Sequence, residues 1–117
     1  MDKKEDFELF KKEFSRYQKE FGLEGYKVLF LHKPLKDENA HIYIDPQNMT
    51  SKVCFTTLKS KDPQDWNIKR LAKHEAIHLL LGRLSDYGLR RFVPQELLLE
   101  AEEEVVRKLL NLIKEKR

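Results

Sequence analysis

Residues 73–81 read Lys-His-Glu-Ala-Ile-His-Leu-Leu-Leu, and this stretch contains the pattern His-Glu-x-x-His. On a helix, His74 and His78 lie one turn apart on the same face, so both imidazoles can reach one metal ion. Glu75 lies about a quarter-turn away, within reach of a water molecule on that metal. The pattern predicts a zinc site with two histidine ligands and Glu75 as general base.

The residues around this pattern indicate that its helix is buried. A helix that is apolar on nearly every side lies in a protein interior. Ionisable side chains on such a helix are unfavourable unless something pairs them, and a metal ion is the simplest partner. The alternative, a surface helix with solvated histidines, does not explain the apolar flanks. These flanks are Ile68, Leu71, Ala72, Ala76, Ile77, Leu79, Leu80 and Leu81.

The composition predicts a single domain with a mixed-charge surface. The chain has 117 residues, with 23 basic and 20 acidic side chains and a net charge of +3. This length supports one modest core, and the charge balance does not predict a nucleic-acid-binding stripe. We expect a monomer or weak oligomer with no nucleic-acid partner. The charged fraction of 37% is common in thermophile proteins.

The location expected from the sequence is the cytoplasm. The chain has no run of about 18 apolar residues that could span a membrane. Residues 1–6 have no hydrophobic segment typical of a signal peptide. Cys54 is the only cysteine, so no internal disulfide can form.

The first half of the chain predicts a helix followed by three strands. An aromatic stripe at helical spacing indicates a helix packed on a sheet, with Gly22 ending it. Three runs of strand-forming residues, 26–32, 39–44 and 53–58, are separated by short polar turns. We expect these runs to form a three-stranded antiparallel sheet. The aromatic stripe consists of Phe7, Phe10, Phe14, Tyr17 and Phe21.

The second half predicts two further helices, which makes the fold class α+β. Asp62 fits the N-cap and Pro63 the first position of the metal-binding helix, which we expect to run to about Leu84. Gly82 and Gly88 are expected to bracket its exit into a loop over residues 85–91. The last helix is expected to open near Pro94 and to run almost to the end of the chain.

The third zinc ligand is expected to come from the last helix. A catalytic zinc usually has three protein ligands and one open position. The chain has four histidines, and none follows His78, so the longer pattern with a third downstream histidine is excluded. His32 and His41 lie in predicted strands and are interpreted as ordinary strand histidines. A glutamate after His78 is therefore the better source.

Glu102 is the predicted third ligand. At about 100° per residue, it falls near the middle of the apolar arc of the last helix, where a carboxylate must be paired or bound to metal. Glu103 lies at the margin of the arc and stays an alternative. Glu100 and Glu104 lie on the far side, but their spacing suits one zinc ligand and one histidine support. The arc is formed by Leu98, Ala101, Val105, Leu109, Leu112 and Ile113.

His74-Glu75-x-x-His78 with a glutamate on a following helix resembles the gluzincin class of metallopeptidases. Asn39-Ala40, the next hairpin and the metal-binding helix are similar to the catalytic core of CAAX-prenyl-protease-like and HtpX-like peptidases. A chain this small without membrane spans most resembles the minigluzincins. The resemblance covers nearly the whole layout and implies a single zincin-like metallopeptidase domain over residues 1–117.

The resemblance implies a peptide or protein substrate lying along residues 39–44, with Asn39 and Ala40 at the rim of the cleft. It also implies the strand order 1-3-2, which leaves this strand at a sheet edge that can pair with an extended peptide. Minigluzincins resemble latent enzymes in which a C-terminal segment obstructs the cleft. The chain could therefore be isolated as a zymogen.

The expected reaction is hydrolysis of a peptide bond by a zinc-bound water, with Glu75 as general base. Tyr87, Arg90 and Arg91 are candidates for stabilising the oxyanion, because their segment follows the metal-binding helix. The alternative function is a non-catalytic or regulatory zinc module, similar to ImmA/IrrE-like proteins. A structural zinc site would be closed by four protein ligands, whereas the sequence offers three.

Overall fold

The computed structural model describes residues 3–59, 66–89 and 94–113, and it has an α+β fold. A three-stranded sheet packs against helices, as the sequence predicts. In chain order the elements are α1 (Lys3–Glu20), β1 (Lys27–Lys33), β2 (Ala40–Asp45), β3 (Thr50–Thr56), α2 (Ile68–Leu89) and α3 (Gln95–Leu112).

The sheet is mixed, so the prediction of a purely antiparallel sheet is wrong. Its strand order is β1-β3-β2, which confirms the expected order and leaves β2 at an edge. β3 pairs in parallel with β1, through Leu31 and Cys54, and antiparallel with β2, through Cys54 and His41. The chain reverses direction between successive strands, so β1 and β3 run the same way. Because β3 lies between the other two, one of its two pairings must be parallel.

The aromatic stripe of α1 forms the centre of the core, as predicted. Phe10, Phe14 and Tyr17 are fully buried, and the Phe10 ring lies 4.7 Å from the Phe55 ring of β3 between centroids. The helix ends where expected, because Gly22 has a positive φ of 73°. The Gly22 N–H donates to the Lys19 carbonyl, and the next N–H donates to the Gln18 carbonyl. This pair of bonds is a Schellman motif.

Helix α2 has other bounds than the sequence predicts. It begins at Ile68, where the Arg70 N–H donates to the Asn67 side chain at 3.0 Å, and the predicted start at Asp62 and Pro63 lies outside the described residues. It continues to Leu89, so the prediction of an end near Leu84 is wrong.

The two glycines near the end of α2 lie within the helix and allow close packing, whereas the sequence predicts that they bracket its exit into a loop. A Cβ on Gly82 would lie 2.9 Å from the Ile44 side chain of β2, and one on Gly88 would lie 2.9 Å from Leu98 of α3. The glycines therefore let β2 and α3 approach the helix. The predicted exit at residues 85–91 is helical up to Leu89.

The burial of α2 is uneven, which corrects the prediction of a helix that is buried all round. Ala76, Ile77 and Leu79 are buried, but Leu80 is half-exposed and Leu84 is 69% exposed. The exposed pair lies in the second half of the helix. None of the helices in the described part of the chain is both long enough and apolar enough to cross a membrane.

We expect Gly82→Ala to destabilise the protein by about 1 kcal/mol. The gain in helix propensity, about 1 kcal/mol, is outweighed by the contact with Ile44, whose branched side chain moves little. Thermal unfolding of the metal-free protein measures the change. Gly88→Ala is the matched control, because its Cβ would meet the ends of the flexible Leu98 side chain. Equal stabilisation by both substitutions would contradict this account.

Candidate metal centre

The side chains of His74, His78 and Glu103 converge between α2 and α3. The His74 Nε2 and His78 Nε2 atoms are 3.2 Å apart. The Glu103 carboxylate lies 3.5 Å from His74 Nε2 and 3.1 Å from His78 Nε2. Within the described residues, these three form the one group of His, Cys, Asp or Glu side chains with ligand atoms all within 4.8 Å of one another. The group can hold a metal ion.

The packing of α2 against α3 places this group. Ile77 of α2 contacts Val106 and Leu110 of α3, and all three are buried. Lys73 near the start of α2 contacts Ile113 at the end of α3, and Gly88 near the end of α2 lies close to Leu98 near the start of α3. The two helices are therefore antiparallel. The Lys73 ammonium donates to the Ile113 carbonyl at 2.8 Å. Because Lys73 directly precedes His74, this bond holds the C-terminal end of α3 close to His74.

Glu102, the ligand predicted from the sequence, lies beside the group and not in it. Its Oε1 is 2.7 Å from His78 Nδ1, the ring nitrogen that faces away from His74. A carboxylate in this position holds the proton on Nδ1 and leaves Nε2 free to bind a metal. The geometry thus brings Glu103 to the Nε2 atoms of both histidines and Glu102 to the other nitrogen of His78, and which carboxylate binds a metal stays a prediction. The side chains of Glu100 and Glu104 are exposed.

The charges of the pair His78 and Glu102 support each other. Burial lowers the pKa of His78, but the hydrogen bond to Glu102 and the nearby carboxylates outweigh burial and raise it. Burial raises the pKa of Glu102, but its hydrogen bonds to His78 and Ser85 outweigh burial and lower it. The pKa of His74 is lowered by burial and by His78, which favours the neutral form that a metal ligand requires.

Glu75 lies next to the group and is 6% exposed. Burial raises its pKa to about 7, His78 opposes the shift, and the carboxylates of Glu103 and Glu38 add to it. A bound cation would lower this pKa again. A carboxylate that titrates near neutral pH suits a general base. Glu75 and His78 both line the same cleft.

This cleft has a volume of about 400 Å³ and runs between the β2 edge and the two helices. Residues 41–44 of β2 form one wall, and Gly82, Ser85, Leu99 and Glu102 contribute to the other. Because β2 is an edge strand, it can pair with an extended chain in the cleft.

The two residues predicted to bind substrate lie at the start of the cleft wall. The Asn39 carbonyl accepts a hydrogen bond from the Thr56 N–H at 2.9 Å. Ala40 is buried and pairs with Phe55 of β3. Within the described residues, the β2 residues that line the cleft begin at His41.

The remaining predicted residues lie away from the group or outside the described residues. His32 stacks on Phe7, with 4.4 Å between ring centroids, and His41 Nδ1 is 3.1 Å from Glu38. The side chain of Tyr87 lies outside the described part of the chain, as do Arg90 and Arg91. Their predicted role at the oxyanion therefore stays a prediction.

The described site thus combines a group that can hold a metal ion, a buried carboxylate and a cleft with a strand edge. Comparison with protein-family models, curated proteins and solved structures gave no match to this chain.

Proposed function

We propose that the chain is a zinc-dependent metallopeptidase. The observation that carries the proposal is the placement of Glu75 beside the group of His74, His78 and Glu103, on a cleft bordered by a strand edge. A metal-binding group alone would suit many proteins. A buried carboxylate and a free strand edge at the same cleft are what hydrolysis of an extended peptide requires.

The donor set fits zinc. Two imidazoles and one carboxylate are a common catalytic zinc set, and they leave one coordination position open. Among the described residues the group contains no fourth side chain, so the alternative of a closed, structural site lacks support. A zinc ion held there would supply a Lewis acid that polarises the scissile carbonyl and acidifies water.

The residues of the chain have separate roles in this proposal. Glu75 accepts the proton of the attacking water on its carboxylate and passes it to the leaving amine nitrogen. The β2 edge holds the substrate backbone by strand pairing and aligns the scissile bond with Glu75. The Glu102 carboxylate accepts a hydrogen bond from His78 Nδ1–H and so keeps the imidazole in one orientation.

The minigluzincin resemblance is part of this proposal. The β1-β3-β2 order and the glutamate from a following helix support it. A cytoplasmic location is proposed from the single, buried Cys54, which suits a reducing compartment. Latency stays a prediction, because residues 114–117 lie outside the described part.

The activity is tested by digestion of a defined peptide library with the zinc-loaded protein. We expect cleavage that stops when a chelator removes the metal. Cleavage that continues at the same rate in the chelator would contradict the proposal.

Zinc binding is tested separately, by thermal unfolding with and without the metal. A ligand that binds only the folded state stabilises it, by about 2.7 kcal/mol at a free concentration of 100 times Kd. We expect the midpoint to rise in zinc and this rise to vanish in His74→Ala. His32→Ala is the control for loss of a histidine outside the group, and it should keep the zinc-dependent rise. An equal rise in both variants would show binding elsewhere.

A further inference from the structure

The sheet face that points away from the helices is exposed around Lys27, Leu29 and Lys52, whereas Cys54 and Thr56 on the same face are buried. Alternate residues of β1 and β3, such as Phe30, Val53 and Phe55, point into the core under the helices. Their neighbours line a depression of about 800 Å³ on the opposite side. We name this side the outer sheet face and define it by Lys27, Leu29, Leu31, Lys33, Tyr43, Asp45, Thr50 and Lys52.

The outer sheet face is cationic, with apolar side chains between its charges. Lys27, Lys33 and Lys52 are exposed, and none of them forms an ion pair with a residue in 3–59, 66–89 or 94–113. Leu29 is 54% exposed and Tyr43 is 57% exposed. Leu29 and Tyr43 lie on either side of Lys52 in the sheet, so exposed apolar and cationic side chains alternate across the face.

The one acidic group on the face is already engaged. The Asp45 carboxylate accepts hydrogen bonds from the Asn48 side chain at 2.8 Å and from the Asn48 N–H at 3.2 Å. These bonds lower the pKa of Asp45, and they direct the carboxylate toward the hairpin turn. Asp45 keeps its negative charge, but the three lysines outnumber it, so the potential over the face is positive.

The outer sheet face is continuous with the cleft. Tyr43 and Ile44 line both depressions, because β2 is the edge strand that separates them. A peptide that pairs with β2 in the cleft can pass around this edge onto the outer sheet face, where it reaches Lys52 and then Leu29. One extended protein segment can therefore occupy both surfaces.

We propose that the outer sheet face is a docking site for an acidic segment of the protein substrate that is cleaved in the cleft. The segment would carry leucine or aromatic side chains between its carboxylates, to match Leu29, Leu31 and Tyr43 between the three lysines. This inference rests on the proposed peptidase function. Leu29 and Leu31 beside a single ring, that of Tyr43, favour a peptide over a single-stranded nucleic acid, whose successive bases stack on several aromatic side chains.

The test compares three peptides built on one short substrate that the library digest identifies. The first is the short peptide, the second carries an added segment of alternating acidic and leucine or phenylalanine residues, and the third has asparagine and glutamine in place of the acids. Extensions at each end are tested in turn. We expect the acidic extension at one end to lower KM about tenfold at low salt, since each exposed ion pair contributes a few-fold. The neutral extension should not.

A triple variant, Lys27→Glu, Lys33→Glu and Lys52→Glu, removes the charge of the face. We expect it to abolish the gain from the acidic extension and to keep the parent's kcat/KM for the short peptide. The matched control is Lys4→Glu, Lys12→Glu and Lys19→Glu on the exposed side of α1, which changes the net charge equally. It should retain the gain.

Binding of the labelled acidic segment alone, measured by fluorescence anisotropy, gives a readout without catalysis. Tighter binding to the parent and to the α1 variant than to the sheet variant supports the docking site. Equal binding to all three proteins overturns it, as does tighter binding of a single-stranded oligonucleotide to the same face. Self-association of the parent that the sheet variant lacks would assign the face to a second copy. Failure to cleave the short peptide would instead overturn the proposed function.

Discussion

Glu75→Gln is expected to lower kcat/KM for peptide hydrolysis by about 10³-fold while the protein keeps its zinc. General base catalysis contributes about 10² to 10⁴-fold, and the amide that replaces the carboxylate cannot accept the proton. The change is nearly isosteric, so the packing around this buried side chain is kept. Steady-state kinetics on a cleaved peptide measure the rate, and elemental analysis measures the zinc content.

Glu38→Gln is the matched control for Glu75→Gln. It removes the same charge from a residue whose carboxylate acts on Glu75 from a distance. We expect a change in rate within a few-fold, because the base itself remains. If Glu75→Gln cleaved the peptide as fast as the parent, Glu75 would not be the base and the proposed mechanism would be wrong.

The second large effect is on zinc affinity. We expect Glu103→Gln to weaken zinc binding by more than about 100-fold, because it removes a ligand. Glu102→Gln should weaken it by about 10 to 100-fold, the range for a partner that orients a ligating histidine. Glu104→Gln, at the next and exposed position, should leave the affinity unchanged. Competition with a fluorescent chelator measures all three constants.

The order of these three affinities decides between two assignments. If Glu102→Gln released the zinc and Glu103→Gln kept it, the ligand would be Glu102, as the apolar arc of the last helix predicts. Equal, small effects of both substitutions would mean that neither carboxylate binds the metal.

The two histidines and Glu75 could be predicted because their pattern fits within one helical turn. In such a pattern the chain itself sets the distances, whatever the helix packs against. Glu103 depends on the rotation of α3 about its axis, and this rotation is set by the contacts of Ile77 with Val106 and Leu110. One residue corresponds to about 100° of rotation. The sequence could therefore limit the third ligand to a few neighbours but not select one.

The adjacent pair Glu102-Glu103 is informative in the sequence, but reasoning from the apolar arc considers each residue separately. Glu102, in the middle of the apolar arc, contacts Nδ1 of His78. Glu103, at the margin of the arc, reaches Nε2 of both His74 and His78. Two successive carboxylates can thus supply a ligand and a support. In the structure the carboxylate of Glu102 has the partner that burial requires, through its contact with His78 Nδ1.

The strands could be located from the sequence, but their directions could not. Runs of strand-forming residues mark where β1, β2 and β3 lie, within a few residues. Which strands become neighbours depends on tertiary packing, and the order β1-β3-β2 makes one pairing parallel. The end of α2 was missed for a similar reason, because Gly82 makes room for Ile44 and does not end the helix.

The central claim is that His74, His78 and Glu103 hold zinc in an open site beside Glu75. Anomalous diffraction at the zinc edge, on a crystal of the zinc-loaded protein, tests it most directly. We predict one peak at about 2.0 to 2.2 Å from the two Nε2 atoms and a Glu103 oxygen, with Glu102 on His78 Nδ1 and an open position facing Glu75. A zinc ion bound by Glu102, or by four protein ligands, would contradict the account.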